Sequence, residues 1–312
     1  MFSTVAKLII ACSLGATACS AQTLSAKWED LTSPDFTKAI AKAQGVCMLP
    51  MGDIEDWGPS GPLGVNLYLD RDLAEEAAKQ EYAVIFPTYF VGGANDVSTR
   101  PGAISYSPHL QLEVLDETIQ EMGRNGCKKI LIVNGHSGNN GLLSFYISES
   151  MGVPHDYVLY SMYGPDFRPV AGLADFPKEG LPSKPGADGH GGEERISGML
   201  VYHPDLVHLD RAHDVSGTEA EKLPLPQGVS TGIRNMAERP HGYEGDASGA
   251  TAVRGKILFA YNTGRVVKAL RAIKADDDTL RRQREFFSQR AKQAGAAWPL
   301  TNSNPESIGT KK

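Results

Sequence analysis

The sequence predicts an α/β protein with a mostly parallel sheet that helices cover on both faces. Short, uninterrupted apolar runs such as Tyr82–Phe86 and Ile130–Val133 alternate with longer segments of helical periodicity. Strands that are apolar throughout are typical of parallel sheets buried on both faces. A chain of 312 residues, 41% hydrophobic and 22% charged, is long enough to bury one large core.

The first half is predicted to contain three helix–strand pairs. In order they are a helix at Pro34–Gln44 and a strand at Gly45–Pro50, a helix at Asp70–Gln80 and a strand at Tyr82–Phe86, and a helix at Pro108–Asn125 before the strand that ends at Val133. The second helix places Leu73, Ala77 and Ala78 on one side. The third repeats apolar residues from Leu112 to Met122 at helical spacing.

The second half continues the alternation with longer loops. The predicted elements are a strand at Tyr157–Met162, a long loop at Pro165–Asp188, a helix at Gly192–Tyr202, a loose stretch at Asp214–Gly232 and a helix at Ala252–Ile273. A loop as long as 165–188 is usually functional or mobile. The domain is expected to span 22–275, and 276–312 to form a charged helix and a polar tail.

Residues 1–21 are predicted to be a signal peptide. Lys7 precedes an apolar stretch at 8–14, and small residues lead to a cleavage point near Ala21. We therefore expect an exported, periplasmic protein with no transmembrane segment in its mature chain. A lipoprotein anchored at Cys19 is the less favoured alternative.

Composition narrows the classes of partner. The formal charge is −6 and basic residues are dispersed among acidic ones, so no basic stripe is available for nucleic acid. A small-molecule substrate fits better. Cys47 and Cys127, the cysteines of the mature chain, could be core thiols or could form a disulfide, and the sequence leaves both open.

The strand at 130–133 runs directly into the motif NGHSGNN, which contains His136. Ligands gather at the carboxyl ends of parallel strands, and flanking glycines let the backbone approach a small molecule or an ion. His136 is therefore a candidate site residue, although a histidine in this position can also simply cap its loop.

Four segments in sequence order resemble the creatininase family of metal-dependent amidohydrolases. They are MGDIEDWGPSGPLGVN (51–66), NGHSGNN (134–140), DGHGGEERISGML (188–200) and GYEGDASGATAVRGK (242–256). The resemblance implies a three-layer α/β/α domain, hydrolysis of a C–N bond in a small amide or cyclic amide, and a homo-oligomer, since members often form hexamers. Family members use two divalent cations to activate a water and polarise the carbonyl.

The resemblance implies an incomplete set of metal ligands in this chain. Glu55 and His136 match family ligands, and Asn66 stands where the family has a bridging aspartate, so Glu55, His136 and Asn66 are the candidate ligands. Trp57 replaces a histidine ligand, and an indole has no lone pair to give. We expect one divalent metal, zinc or manganese, or none.

Other matching positions suggest the remaining roles. His190 resembles the family's proton-handling histidine, and Glu193 is retained beside it, so both are predicted to be catalytic. Trp57 is expected to line the pocket and stack on a flat ligand rather than lie in the core. Arg195 stands where the family has a glutamate, and it is expected to pair with Glu55 or to bind an anionic group of the substrate.

Two functions follow from these residues. The retained Glu55, His136 and His190 favour a creatininase-like hydrolase with a degenerate metal site. The replacements at Trp57 and Asn66, together with Arg195, favour the alternative, a non-catalytic periplasmic binding or scaffold protein that keeps the fold and the pocket. Taken together, the retained residues favour the enzyme.

Overall fold

The computed structural model describes residues 24–164, 177–218, 223–229 and 231–293. Its strands are β1 (Val46–Met51), β2 (Val84–Ile85), β3 (Lys129–Asn134) and β4 (Val158–Tyr163). Its α-helices are α1 (Ser33–Lys42), α2 (Val65–Gln80), α3 (Pro108–Arg124), α4 (Asn139–Ser150), α5 (Glu193–Tyr202), α6 (Arg234–Glu238), α7 (Ala252–Ala275) and α8 (Asp278–Gln293). The predicted signal peptide lies outside the described residues.

The four strands form one parallel sheet in the order β2-β1-β3-β4. β1 and β3 are adjacent at its centre, and their pairing runs from Val46 opposite Lys129 to Met51 opposite Asn134. The loops that leave β1 and β3 therefore start side by side at the carboxyl edge of the sheet. The prediction of a parallel sheet is confirmed.

Alternate residues of the central strands enter two separate hydrophobic layers. Met48 and Leu131 pack with α2, α5 and α7 on one face, whereas Leu49 and Ile132 pack with α1, α3 and α4 on the other. Because both faces are covered, successive residues of β1 and β3 are all buried, which is why these strands are continuously apolar in sequence. The predicted three-layer α/β/α architecture is confirmed.

Besides the short α6, which was not predicted, two helices differ from the sequence prediction. α2 begins at Val65, five residues before the predicted start, and its first turns bury the polar Asn66 and Asp70, which obscure an apolar periodicity. α4 was not predicted, because the asparagines, glycine and serines in its sequence have low helix propensity. Tertiary packing of Leu143 and Tyr146 against the sheet stabilises it.

Cys47 and Cys127 form a disulfide that ties β1 to the turn before β3. The sequence analysis left this pairing open. Residues 177–188 of the predicted long loop contain one short 3-10 helix, at Lys178–Gly180, and the rest of that loop and the polar tail lie outside the described residues. No described helix is both long enough and apolar enough to cross a membrane.

Candidate functional site

Three side chains converge at the carboxyl edge of the sheet, where β1 and β3 end. Asp53 and Glu55 follow β1, and His136 follows β3. One ligand atom from each lies within 4.8 Å of the other two, and all three residues are buried. We refer to Asp53, Glu55 and His136 as the acid–histidine cluster. The register of two parallel neighbours brings these groups together although they are about 80 positions apart in sequence.

The hydrogen bonds of His136 fix which nitrogen faces the carboxylates. Nε2 lies 2.9 Å from the carbonyl oxygen of Gly93, and a carbonyl only accepts, so Nε2 carries a proton. Nδ1 lies 3.1 Å from Oε1 of Glu55 and 3.4 Å from Oδ2 of Asp53. The Nδ1 atom therefore faces two carboxylates and can either hold a proton or present its lone pair to a cation.

Burial and charge shift the pKa values of the acid–histidine cluster strongly. Burial raises the pKa of Asp53 to about 7, and the nearby charge of His136 only partly opposes this. Burial also acts on Glu55, but its interactions with His136 and His190 outweigh it and lower the pKa to about 2. Burial acts against the charged form of His136, and the two carboxylates outweigh it and raise the pKa to about 10. The cluster thus requires a positive charge at its centre, which a protonated His136 supplies when no metal is bound.

A single divalent cation fits this requirement. Oδ2 of Asp53 is fully buried and accepts no hydrogen bond, an arrangement that is unfavourable unless a cation satisfies it. One imidazole nitrogen and two carboxylate oxygens are ligands that zinc and manganese accept, and catalytic zinc sites keep a fourth position open for water or substrate. Asp53 was not predicted as a ligand, because the family resemblance pointed to Glu55, His136 and Asn66. Its position two residues before Glu55 was the available signal.

Asn66 presents its amide nitrogen, not its oxygen, to the acid–histidine cluster. Nδ2 donates to Oδ1 of Asp53 at 2.6 Å and to Oε1 of Glu55 at 3.2 Å. A donating amide nitrogen cannot coordinate a metal. This geometry corrects the predicted ligand set: Asn66 orients the two carboxylates, and Asp53 is the third candidate ligand.

His190 and Trp57 form the neighbouring wall of the site. Their rings stack with centroids 4.3 Å apart and an angle of 14° between planes. Nε2 of His190 donates to the carbonyl oxygen of Asp56 at 2.6 Å and lies 3.8 Å from Oε2 of Glu55. Burial lowers the pKa of His190, which keeps the ring neutral and leaves Nδ1 as its acceptor atom. His190 therefore borders the acid–histidine cluster in a form that can accept a proton.

The expected placement of Trp57 is corrected. Trp57 lies in a loop, as expected, but only 4% of the residue is exposed. Its side chain packs in the hydrophobic layer that contains α2, α5 and α7. Because His190 covers the ring, Trp57 is a core residue that supports His190. Its predicted role in stacking on a ligand stays a prediction.

Arg195 is close to the site but does not pair with Glu55. Its Nη2 donates to the hydroxyl of Tyr163 at 3.2 Å and to the carbonyl of Gly135 at 3.4 Å, and its guanidinium lies 5.7 Å from the centre of the Trp57 ring. Glu55 instead pairs with His136, and the neutral ring of His190 lies 3.8 Å from its Oε2. No direct contact joins the described side chains of Glu55 and Arg195, although the charge of Glu55 acts on the guanidinium. The predicted binding of an anionic substrate group by Arg195 stays a prediction.

Asp70 is a second buried carboxyl that the sequence analysis missed. It lies one turn after Asn66 on α2, is fully buried and rests against Gly135. Burial raises its pKa well above the usual range, and the charge of Arg195 opposes this rise. Arg195 therefore acts as a fixed positive charge beside Asp70.

Glu193 lies in a different set of contacts from the acid–histidine cluster. Its Oε2 accepts from the amide of Ser183 at 2.7 Å and from Nη1 of Arg254 at 3.2 Å. Within the described residues, no hydrogen bond or ion pair joins Glu193 to His136 or Glu55. Its predicted catalytic role is not tested, but its contacts are those of a residue that supports the loop carrying His190.

Comparisons with known proteins give one consistent family. A family model described as creatininase, creatinine amidohydrolase, matches residues 29–270. Creatinine amidohydrolase of Pseudomonas putida is 26% identical over 226 residues, which are 65% of this chain and 85% of that protein. The mycofactocin precursor peptide peptidase of Mycobacterium tuberculosis is 26% identical over 228 residues, 68% of this chain and 79% of that protein. The 3-dehydro-scyllo-inosose hydrolase of Thermotoga maritima is 24% identical over 226 residues, 71% of this chain and 68% of that protein.

Solved structures share the fold. A crystal structure of creatinine amidohydrolase superposes with a TM-score of 0.65 at 23% identity and covers 81% of this chain and 99% of that one. A structure titled manganese creatininase has a TM-score of 0.66 at 22% identity, and covers 81% of this chain and 100% of that one. A mutant creatininase of the Zn-Zn type has a TM-score of 0.65 at 22% identity, with 81% and 99% covered. Creatininase structures are thus zinc or manganese metalloproteins.

Proposed function

The chain belongs to the creatininase family, and we propose that it is a hydrolase that cleaves a C–N bond of a small amide with the help of one divalent cation. The relatives that match it are all named as hydrolases or peptidases. The observation that carries the proposal is the acid–histidine cluster, in which three ligand atoms converge within 4.8 Å around a buried carboxylate oxygen that accepts no hydrogen bond. The non-catalytic alternative gains no support from these relatives.

The ligands proposed for the cation are Oδ2 of Asp53, a carboxylate oxygen of Glu55 and Nδ1 of His136. A cation held there would acidify a bound water and polarise a substrate carbonyl. Asn66 keeps the two carboxylates oriented by donating to both. The Gly93 carbonyl holds Nε2 of His136, which directs Nδ1 towards the carboxylates.

His190 is the proposed proton carrier. Its Nε2 proton is engaged by the Asp56 carbonyl, so Nδ1 is the atom that can take a proton from an attacking water and pass it to a leaving nitrogen. The lowered pKa keeps this atom unprotonated near neutral pH. The buried indole of Trp57 excludes water from one face of the ring.

Two measurements on the mature protein test the proposal. We expect close to one equivalent of zinc or manganese after dialysis, measured by elemental analysis, and metal-dependent activity in a screen of small cyclic amides, linear amides and short peptides. His190→Gln should retain the metal and lose the activity, whereas His155→Gln, at a half-buried histidine that contacts the carbonyl of Val153 and is remote in sequence, should retain both. Protein that binds no divalent cation at micromolar concentration would refute the metal-dependent mechanism.

We also propose that the protein is exported. A buried disulfide between Cys47 and Cys127 supports this, since such bonds persist in oxidising compartments. Cell fractionation with a C-terminal tag tests it: a mature, processed protein outside the cytoplasm is expected, and an unprocessed cytoplasmic protein with both thiols free would contradict it. Assembly into a homo-oligomer stays a prediction.

A further inference from the structure

The segment Ala187–Glu193, which carries His190, is held in place by a later segment, Tyr243–Arg254. We propose that Arg254 is a positioning residue, which fixes the orientation of the His190 imidazole through Asp188 and Glu193. The importance of this orientation for catalysis rests on the proposed function. The contacts themselves do not depend on a substrate or a metal.

Arg254 is buried near the start of α7 and uses its whole guanidinium. Nη1 and Nη2 donate to the two carboxylate oxygens of Asp188 at 2.6 and 2.7 Å, and Nη1 also lies 3.2 Å from Oε2 of Glu193. Nε donates to the carbonyl of Gly180 at 3.1 Å. A bidentate contact of this kind restricts both distance and direction. Asp188 precedes His190 by two residues and Glu193 follows it by three, so one side chain anchors the segment on both sides of the histidine.

The backbone around His190 is anchored by the same later segment. The amide of Glu244 donates to the carbonyl of His190 at 2.8 Å, and the amide of Asp246 donates to the carbonyl of Ala187 at 3.0 Å. Gly191 has a φ of +78°, and a Cβ there would lie 2.3 Å from the carbonyl oxygen of Trp57. The histidine therefore has little freedom to shift between the segment behind it and the Trp57 loop in front.

The loss of Arg254 is expected to release this arrangement. Asp188 and Glu193 both converge on the guanidinium, and Glu193 is 1% exposed, so without Arg254 two neighbouring carboxylates would repel each other in a poorly solvated site. The segment between them is short, so a displacement at its ends would change the direction of the His190 ring. The ring would then lose its Asp56 hydrogen bond and its stacking on Trp57.

Arg254 lies in the fourth resembling sequence segment, GYEGDASGATAVRGK, which contributes no candidate ligand. Glu193 contacts Arg254, so a positioning role agrees with its contacts. Both would act on the site through His190 without touching a substrate.

The test follows the His190 ring by NMR in the mature, metal-free protein labelled with ¹⁵N-histidine, with His190→Gln to assign the signal. In the parent protein we expect a neutral ring with a slowly exchanging, hydrogen-bonded Nε2 proton. Arg254→Gln is expected to lose this signal and to increase the rate at which diethyl pyrocarbonate modifies His190 severalfold, as measured by peptide mass spectrometry. Lys129→Met is the control, because buried Lys129 caps the last turn of α7 through the carbonyls of Ile273 and Lys274 and should lower stability without moving the ring.

Retention of the Nε2 signal and of the slow modification in a folded Arg254→Gln protein would overturn the proposal, as would an equal loss in Lys129→Met. If Arg254→Gln does not fold, Asp188→Asn leaves the arginine in place and breaks the charged bidentate contact, and the same loss of signal is expected from it. Neither readout needs hydrolysis. A protein without detectable activity whose His190 signal depends on Arg254 would refute the proposed function and leave this inference intact.

Discussion

Replacing Asp53 by asparagine should separate the metal affinity of the site from the stability of the metal-free protein. The substitution keeps the shape of the side chain. Asn66 Nδ2 lies 2.6 Å from Oδ1, which an asparagine oxygen can replace as acceptor. The new amide nitrogen would then occupy the position of Oδ2, 3.4 Å from Nδ1 of His136, and would donate to that atom once the ring has released its Nδ1 proton. A ligand is lost, while the hydrogen bonds around it can be kept.

Asp53→Asn is expected to raise or keep the stability of the metal-free protein and to lower its affinity for zinc. The pKa of Asp53 is raised from 3.8 to about 7 in the folded protein. Above pH 7 its buried charge therefore lowers the free energy of unfolding, by at most about 4 kcal/mol at about 1.4 kcal/mol per pKa unit. Asparagine removes this cost together with the attraction to His136. We therefore expect the metal-free variant to be at least as stable as the metal-free parent at pH 8.

Metal binding should change far more. Substitution of a residue that only supports a metal ligand weakens metal binding by up to about a hundredfold. Removal of one of the three ligands themselves should therefore weaken zinc binding by at least about a hundredfold. Zinc at a hundred times the parent's dissociation constant stabilises that protein by about 2.7 kcal/mol, and it would stabilise the variant by only about 0.4 kcal/mol. For a domain of this size the corresponding rise in melting temperature is about 5–10 °C for the parent and about 1 °C for the variant.

Differential scanning fluorimetry with EDTA and with a zinc titration measures both effects. Asp56→Asn is the matched control: it alters a neighbouring carboxylate whose Oδ1 only accepts from the amide of Gly58, and asparagine can do the same. A zinc-induced rise in Asp53→Asn equal to that of the parent would refute the assignment of Asp53 as a ligand. A metal-free variant much less stable than the metal-free parent would refute the account of its buried charge.

Three other predictions concern protons, the disulfide and the core. In the metal-free protein the pKa of His136 is raised to about 10, so zinc must displace the Nδ1 proton, and the zinc affinity should rise by about tenfold per pH unit from pH 7.5 to 9. Calorimetry in buffers of different ionisation enthalpy should show that about one proton is released on binding. A zinc affinity that does not change with pH would contradict this. Replacing Cys47 and Cys127 together by alanine should lower the free energy of unfolding by about 4 kcal/mol, because the disulfide closes a loop between residues 80 positions apart. A variant whose urea denaturation curve matches that of the oxidised parent would disprove this. Leu131→Ala in the central strand β3 should lower the free energy of unfolding by about 2–5 kcal/mol in the same urea assay, since the Leu131 side chain is almost fully buried. A loss below about 1 kcal/mol would show that the hydrophobic layer can close around the gap.

The fold and the location of the site could be predicted because they depend on local patterns. Continuous apolar runs identified the buried strands, and the glycine-flanked His136 after β3 marked the edge where ligands gather. α4 and the start of α2 could not be predicted in this way, because packing against the sheet overrides weak helix propensity.

The sequence by itself thus determined the layered α/β architecture, the family and the roles of Glu55 and His136 as candidate ligands. Only the tertiary structure decided which groups complete the site. Asp53 joins these two residues, Asn66 turns its amide nitrogen to the carboxylates, and Arg195 donates to Tyr163 and to the carbonyl of Gly135. The physical reason is that ligation and charge pairing depend on the direction of individual atoms within a few ångströms. Spacing along the chain does not specify that direction, whereas strand register and burial do.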